Sequence, residues 1–298
     1  MSRFVSRPDA AAARVLVAEA REASFGASVA AGMKAIAPLE LAGSWDNVGT
    51  LLEPCVDSLG GPDPSPLRDE ALLCIDLTEA VAAEAAAARC GAVVAYHPPI
   101  FRGLKKITQN VGLQRGLLRL AREGIAVYSP HTSLDTVEGG VNDILADGLP
   151  AGAREGCHPH ESVQDAQVGR VVRFDAPQPL SALVAAAAAH LGLPAAAISV
   201  LHGDPQAGND ALCAAVAICA GSGDSVCSRA AGADVYLTGE MGHHEQLAAV
   251  AAGVSVILCG HTETERPYLP TLAAKLKDIG IAARVADADA SPLNLAEV

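Results

Sequence analysis

Residues 72–97 read LLCIDLTEAVAAEAAAARCGAVVAYH, and this stretch decides the fold. Two apolar segments typical of buried strands, Leu72–Asp76 and Val93–Tyr96, flank an Ala-rich segment at Thr78–Arg89 that is typical of a helix. Thr78 is a suitable N-cap for that helix. A strand, a helix and a second strand in direct succession predict a βαβ unit with parallel strands.

The same alternation of strands and helices recurs along the rest of the chain. Further helices are predicted at Gly112–Glu123, Val141–Asp147, Leu180–Leu191, Gly223–Ala231, His244–Ala252 and Leu269–Leu276. Further strands are predicted at Thr50–Glu53, Ala126–Ser129, Gly169–Phe174, Ala196–Leu201, Ala214–Cys219, Val235–Thr238, Val254–Cys259 and Ala282–Val285. We therefore predict an α/β fold with two α/β domains. Their sheets are largely parallel or mixed and packed by helices, and the site lies at strand carboxyl ends between the domains.

Shifts in composition predict the domain organisation. Residues 1–32 are Ala-rich and lack strand signals, which indicates an N-terminal leader, either helical or flexible. Residues 33–151 are predicted to form the first α/β domain, which the C-terminal segment 233–298 completes. Residues 168–232 are predicted to form a second, smaller α/β domain, and the polar break at 152–167 a linker.

Composition and charge exclude several classes of protein. The chain has 298 residues, half of them apolar, and a formal net charge of −13, so it is globular and unsuited to broad contact with a nucleic-acid backbone. No apolar stretch has the length and bulk of a membrane span. The eight cysteines form no C-x-x-C pair, which favours a reducing compartment. We predict a cytoplasmic protein, and a mitochondrial or nuclear location stays open.

Four predicted strands run directly into side chains that can bind a metal. The side chains are His97 after one strand, His131 and Asp135 after the next, Glu240 with His243 and His244 after a third, and His261 with Glu265 after a fourth. Ligands of open α/β sheets collect at the carboxyl ends of strands. The pattern therefore indicates a metal centre built from imidazoles and carboxylates.

The spacing within these segments supports that interpretation. His261 and Glu265 are four residues apart, so a helical turn would put both side chains on one face, where they can share a cation. Asp135 can bind a metal or orient a neighbouring imidazole. The Pro-Pro pair that follows His97 holds that residue in extended backbone at the end of its strand.

Simpler interpretations of the same residues stay open. His97 can merely end a strand, and Asp135 can cap the helix that follows it. Glu265 can belong to a capped helix start with surface acids. The segment Glu240–His244 fits an exposed helix start as well as a general base or a substrate contact. The Asp-Asn pair at 46–47 is interpreted as a turn former.

Together these motifs resemble those of the NGG-interacting-factor-three-like proteins, a family whose members are also named as homologues of a type-2 GTP cyclohydrolase I. The resemblance runs from about Met33 to the C-terminal helix. The matching segments are Ser44-Trp-Asp-Asn-Val-Gly49, Tyr96-His-Pro-Pro-Ile-Phe101, Ser129-Pro-His-Thr-Ser-Leu-Asp135, Val168-Gly-Arg170, Thr238-Gly-Glu240 with His243-His244, and Gly260-His-Thr-Glu-Thr-Glu265.

The resemblance implies a two-domain α/β fold, ring-like oligomers that are commonly trimers of dimers, and a dinuclear metal site. By motif position the implied metal ligands are His97, Asp135, His261 and Glu265, with Glu265 as the bridge. His131 is implied to lie beside the metals rather than among their ligands. Bacterial members begin the second motif with two histidines, whereas this chain has Tyr96 in the first place, as in the eukaryotic branch. That substitution removes a strong ligand.

The resulting hypothesis is a metal-dependent hydrolase that acts on an anionic, nucleotide-like or phosphorylated small molecule. It would hold up to two divalent cations per chain, of Zn, Fe, Mn or Co, and His131 or the pair His243 and His244 would shuttle the proton. A homo-oligomer, from dimer to hexamer, is expected. One alternative is a non-catalytic scaffold with a structural or vestigial metal and a regulatory protein partner, since the family name derives from a protein–protein interaction. Another is metal storage or delivery.

Overall fold

The computed structural model describes residues 9–54 and 67–293. Its strands are β1 Gly49–Leu52, β2 Arg68–Cys74, β3 Cys90–Ala95, β4 Ala126–Ser129, β5 Ala153–Glu155, β6 His158–Pro159, β7 Gln167–Val168, β8 Arg170–Pro179, β9 Ser199–Leu201, β10 Leu212–Ser222, β11 Val235–Glu240, β12 Ser255–Leu258 and β13 Ala282–Val285. Its α-helices are α1 Ala10–Arg21, α2 Phe25–Ile36, α3 Glu79–Ala88, α4 Gly112–Glu123, α5 Thr132–Thr136, α6 Val141–Asp147, α7 Leu180–Leu191, α8 Asp224–Cys227, α9 His243–Ala251, α10 His261–Glu265 and α11 Tyr268–Asp278.

The described residues form two compact α/β units, which confirms the predicted fold class. The N-terminal unit consists of residues 9–54 and 67–134 together with Leu269–Ala290. The central unit consists chiefly of Asp135–Tyr268. Within the described ranges, no helix combines the length and the apolar character that crossing a bilayer requires.

The N-terminal unit is built on a five-stranded sheet in the order β1-β4-β3-β2-β13. Strands β4, β3, β2 and β13 are parallel to one another, and β1 is an antiparallel edge strand. Helix α3 begins as predicted, because the Thr78 side chain accepts a hydrogen bond from the Val81 amide at 3.2 Å. Leu72, Val93 and Val127 are fully buried in the apolar core under α3 and α4.

The parallel strands of this sheet end at one edge and deliver polar side chains there. Asp76 follows β2, His97 follows β3 and His131 follows β4. The amide of His97 donates to the Ile75 carbonyl at 3.0 Å, so the chain after β3 stays tied to the chain after β2. The sheet therefore holds these side chains at neighbouring positions of one edge.

Part of the predicted leader belongs to the N-terminal unit. Helix α2 begins at Phe25, and its residues Val29 and Met33 are buried. A side chain at Gly26 would collide with Ala126, which shows how closely α2 lies on β4. Residues 1–8 of the leader, and 294–298 of the predicted C-terminal segment, lie outside the described residues.

The central unit is built on a six-stranded mixed sheet in the order β5-β8-β10-β11-β12-β9. Strands β10, β11 and β12 are parallel to one another, and antiparallel strands flank them on both sides. The carboxyl ends of the three parallel strands bring Gly221, Glu240 and Gly260 to one edge. His261 then opens α10 directly after that edge.

The two units divide the chain differently from the predicted domains. Strands β11 and β12 lie within the predicted C-terminal segment 233–298, yet they pair with β10 of the central unit. Of the described part of that segment, Leu269–Ala290 belongs to the N-terminal unit, where β13 pairs with β2. The predicted linker at 152–167 contains β5, which pairs antiparallel with β8 and so extends the central sheet. The choice of sheet that β11 and β12 join decides this division, and composition does not encode that choice.

A buried ion pair ties helix α6 to the central sheet. Arg170 opens β8 with its side chain wholly inaccessible to solvent, and it donates to both Asp143 carboxylate oxygens, at 2.8 and 2.7 Å. It also donates to the main-chain carbonyls of Val137 and Gly169, at 3.0 and 2.7 Å. A cation buried so deeply is tolerated because anionic and carbonyl oxygens surround it.

We predict that Arg170→Met lowers the free energy of unfolding by about 3–5 kcal/mol, because it leaves the Asp143 carboxylate without its buried counter-charge. Urea unfolding followed by circular dichroism measures the loss. Arg154→Met is the matched control, since Arg154 forms a surface ion pair with Asp147 at 2.7 Å. Such an exposed pair contributes only about 0–1 kcal/mol to the free energy of unfolding. Equal losses in the two variants would contradict a special role for the buried pair.

Candidate metal centre

In the N-terminal unit, a carboxylate orients His97. The Nδ1 atom of His97 lies 3.0 Å from an oxygen of Asp76, the residue that follows the neighbouring strand β2. When Nδ1 keeps its hydrogen and donates a hydrogen bond to the carboxylate, the lone pair resides on Nε2, which is the atom that can bind a metal. His97 is among the residues that offer such a ligand atom.

His131 has the same arrangement with a different carboxylate. Its Nδ1 atom lies 2.8 and 2.9 Å from the two oxygens of Asp46, whose side chain is fully buried. Asp46 also accepts hydrogen bonds from the Thr132 hydroxyl at 2.6 Å and from the Thr132 amide at 3.2 Å. His131 adopts a φ of 34°, a backbone conformation that is rare for a non-glycine residue. These contacts hold the imidazole in one orientation despite the unfavourable backbone.

In the central unit, His261 has carboxylates on both ring nitrogens. Its Nδ1 atom lies 3.0 Å from Glu240, at the end of the neighbouring strand β11, and its Nε2 atom lies 3.2 Å from Glu265. His261 and Glu265 lie on one face of α10, as their spacing predicts. The Glu265 side chain is only 3% exposed. Such a buried carboxylate beside an imidazole lone pair is typical of a pair that shares a cation.

Glycines at two strand ends make room for this pair. A Cβ atom at Gly221 would lie 2.4 Å from Glu265 Oε1 and 3.1 Å from His261 Nε2, so a larger residue would fill the space that faces the ligand atoms. A Cβ atom at Gly239 would lie 2.7 Å from the Cα atom of His261. The Thr264 hydroxyl accepts from the Gly221 amide at 2.9 Å and fixes α10 against the end of β10. The backbone thus leaves a small cradle in front of Glu265 and His261.

Asp135 lies in the same unit but outside that pair. It does not form a close three-residue ligand group with His261 and Glu265 among the described residues. Its main-chain carbonyl accepts from the Asn142 side chain at 3.0 Å, and Asn142 in turn accepts from the Ala220 amide. Burial, and then the negative charges of Asp135 and Glu265, raise the pKa of the Cys219 thiol well above its ordinary value. A raised pKa favours the neutral thiol form of Cys219.

His243 and His244 are exposed at the start of α9. Their rings contact each other, with centroids 5.5 Å apart. Glu240, which precedes them at the end of β11, is paired with His261. The structure thus places Glu240, rather than the His-His pair, against a candidate ligand.

Two carboxylates that the structure makes important were not predicted as site residues from the sequence. Asp46 was interpreted as a turn former, and it is the partner of His131. Asp76 was treated as the end of a strand, and it is the partner of His97. Asp76 could have been found, because it stands directly after an apolar strand in the same layout as the four segments that were singled out. Nothing local distinguishes Asp46 from an ordinary turn residue.

The contacts of Asp46 predict a pH-dependent contribution to stability. Burial alone would raise the pKa of Asp46, but the hydrogen bond and charge of His131 and the bonds from Thr132 outweigh it, so the pKa lies below its ordinary value. A carboxyl group whose pKa is lowered by folding stabilises the native state at pH values above its pKa in the unfolded chain, which is about 4. This stabilisation is lost as the pH falls through the pKa of the folded state.

We therefore expect Asp46→Asn to lower the free energy of unfolding by about 1–3 kcal/mol at neutral pH, with the difference from wild type shrinking below about pH 4. Denaturant unfolding at a series of pH values measures it. Asp69→Asn is the control, since the Asp69 side chain is 65% exposed and pairs with Arg21 at 3.4 Å. A difference that stays constant into the acid range would refute this account of Asp46.

The chain is similar to known proteins over most of its length. A family model described as Duf34/NIF3 (NGG1p interacting factor 3) matches residues 26–292. The protein NIF3 homolog of Schizosaccharomyces pombe is 44% identical over 269 residues, which cover 85% of this chain and 92% of the relative. NGG1-interacting factor 3 of Saccharomyces cerevisiae is 36% identical over 262 residues, covering 85% of this chain and 90% of the relative.

Solved structures agree with this result at the level of the fold. A hypothetical protein of Staphylococcus aureus superposes with a TM-score of 0.75 at 21% identity, covering 91% of this chain and 99% of its own. Reduced HcgD from Methanocaldococcus jannaschii superposes with a TM-score of 0.68 at 22% identity, covering 86% and 94%. These identities show a shared fold alone. The family model and the fungal relatives confirm the resemblance found in the motifs, and the chain belongs to the Duf34/NIF3 family.

Proposed function

We propose that this chain is a metal-dependent hydrolase whose centre binds up to two divalent cations through His97, Asp135, His261 and Glu265. The observation that carries the proposal is the pair His261 and Glu265, whose facing atoms are 3.2 Å apart in front of a cradle that a side chain at Gly221 would fill. A buried carboxylate in such a place is best stabilised by a cation. The donor set of imidazole and carboxylate suits Zn, Fe, Mn or Co.

The carboxylates behind the histidines support the same proposal. Asp76 and Glu240 accept from the Nδ1 atoms of His97 and His261. Partners of this kind fix the tautomer of a ligand histidine and raise its basicity, and their loss weakens metal binding by roughly 10–100-fold. Bound divalent cations would supply Lewis acidity and stabilise negative charge on a substrate.

His131 is the residue proposed to move the proton. Its Nδ1 atom is bound by the buried Asp46, so Nε2 can accept a proton and return it while the imidazolium is stabilised from behind. From the sequence, His243 and His244 were equally candidates for moving the proton. We now favour His131, because its ring is oriented by a carboxylate whereas those two side chains are exposed.

An anionic, nucleotide-like or phosphorylated small molecule is the proposed substrate class. Cations attract anions, and a chain with a formal net charge of −13 would otherwise repel them. A cation site is therefore the means by which such a chain can select an anion. A homo-oligomer, from dimer to hexamer, is proposed from the family resemblance.

A second candidate function is a protein-interaction scaffold with a structural metal. The name of the yeast relative, NGG1-interacting factor 3, favours it. In this case a regulatory protein would be the partner, and the cations would stabilise the fold without turnover.

We predict that Glu265→Gln combined with His261→Ala removes bound metal. Elemental analysis of protein purified without added metal gives the stoichiometry, and thermal unfolding verifies that the variant is folded. Glu240→Gln should keep the stoichiometry at saturating metal while weakening affinity about 10–100-fold in competition with a chelator.

His158→Ala is the matched control, because His158 makes its hydrogen bond to a main-chain carbonyl in strand β6, which pairs only with β7 in a separate two-stranded sheet of the described residues. Its metal content should equal that of wild type. An unchanged metal content in the His261 and Glu265 double variant would end the proposal of a metal centre at these residues.

Turnover distinguishes the hydrolase from the scaffold. On a panel of nucleotides and phosphoesters, we expect hydrolysis that a chelator abolishes, that added metal restores, and that His131→Gln lowers about 10²–10⁴-fold with little change in metal content. No turnover on the panel, together with partner binding that survives chelation, would favour the scaffold instead.

A further inference from the structure

The one tryptophan of the chain lies on the surface of the N-terminal unit. Trp45 is 64% exposed, although an indole is among the side chains that gain most from burial. Its ring makes an edge-to-face contact with Phe101, with centroids 6.0 Å apart, and another with His131, at 6.1 Å. Phe101 is itself 47% exposed. Two exposed aromatic rings therefore stand next to the histidine that is oriented by Asp46.

Hydrogen bonds from the residues beside Trp45 hold these rings in place. The Asp46 carboxylate is anchored to Thr132 and His131, and the Asp46 amide donates to the Gly43 carbonyl at 3.0 Å. The Asn47 side chain donates to the carbonyl of Ile100, the residue just before Phe101. The turn that carries Trp45 is thus tied directly to the loop that carries Phe101. The backbone segments that carry both rings are therefore held together before any ligand arrives, which lowers the entropic cost of binding.

The loop after Phe101 is basic in an acidic protein. Every charged side chain from residue 97 to residue 122 is a cation, whereas the whole chain has 34 acids against 21 bases. Three of these cations, Arg102, Lys105 and Lys106, lie shortly after Phe101 in the chain and are exposed. By contrast, Arg115 further along is paired with Glu79 at 2.7 Å. The exposed cations beside the aromatic rings are suited to phosphate oxygens.

We propose that Trp45 and Phe101 form a stacking surface for the planar ring of a nucleotide, and that Arg102, Lys105 and Lys106 bind its phosphate. Aromatic side chains stack on nucleobases with little regard to the identity of the base. This inference rests on the proposed function for the class of substrate, and it specifies the residues that recognise that substrate. The neighbouring ring of His131 places the candidate proton carrier beside the bound nucleotide.

The single tryptophan provides a direct test. In protein stripped of metal by a chelator, AMP and GMP should quench Trp45 fluorescence saturably. Adenosine and guanosine should quench more weakly, because they lack the phosphate. Ribose 5-phosphate should not quench, because it lacks the ring. Quenching equal in size for nucleotide and nucleoside would overturn the role of the cations, and quenching by ribose 5-phosphate alone would overturn the stacking role.

Variants that keep the reporter separate the two contributions. Phe101→Leu should weaken AMP binding about tenfold, because stacking on one ring is lost. Lys105→Gln combined with Lys106→Gln should weaken it several-fold and flatten its dependence on salt. The charge-matched control is Lys34→Gln with Lys277→Gln, two exposed lysines on α2 and α11. Equal losses in the two double variants would show that only net charge matters and would overturn the site.

Two further outcomes complete the test. If neutral acrylamide does not quench Trp45 in the native protein, the indole is covered in solution, and the nucleotide surface is refuted. AMP binding that persists in the His261 and Glu265 double variant supports the stacking surface even if that variant retains its metal. Thus the stacking surface and the metal centre can fail independently.

Discussion

A hydrogen bond donated by the Nδ1 atom of a histidine to a carboxylate is the interaction on which the candidate site depends. It occurs at His97 with Asp76, at His131 with Asp46 and at His261 with Glu240. In each case it decides which ring nitrogen carries the lone pair and where that nitrogen points. Without it, an imidazole on a loop would rotate freely, and its affinity for a metal would fall.

Each of these pairs is made by two neighbouring strands. Asp76 and His97 follow the parallel strands β2 and β3, and Glu240 and His261 stand at the ends of the parallel strands β11 and β12. The remaining pair uses an antiparallel neighbour: Asp46 precedes β1, and His131 follows β4. An antiparallel strand starts where its partner ends, so this geometry brings the two residues together as surely as a parallel pair does. Strand pairing therefore supplies the distances that the hydrogen bonds need.

Charge is distributed so that acids and bases serve different purposes. The chain as a whole is anionic, with 34 acids against 21 bases, whereas all the charged side chains between residues 97 and 122 are cations. Of the acids at the candidate centre, Asp76 and Glu240 keep exposed side chains, whereas the side chains of Asp46 and Glu265 are shielded from water. Burial makes such carboxylates costly unless hydrogen bonds or a cation stabilise them, so their positions indicate chemistry more clearly than the net charge does.

The sequence by itself determined the α/β class, most helix and strand positions, and the segments that carry candidate ligands. Helices α4, α6 and α7 and strand β13 begin and end at the predicted residues, because their apolar patterns and flanking turn residues are local signals. The sequence also predicted that His261 and Glu265 lie on one helix face, because residues four apart do so in any α-helix.

Only the tertiary structure decided which strands share a sheet and which carboxylate stands behind each histidine. The pairing of β10 with β11 joined 235–240 to the central unit, and the pairing of β1 with β4 turned Asp46 from a turn residue into the partner of His131. The first result depends on which sheet β11 joins, and the second depends on contacts between residues far apart in the chain, such as Gly49 and Ser129. Local propensity carries no record of such contacts, because they form only when the whole sheet does.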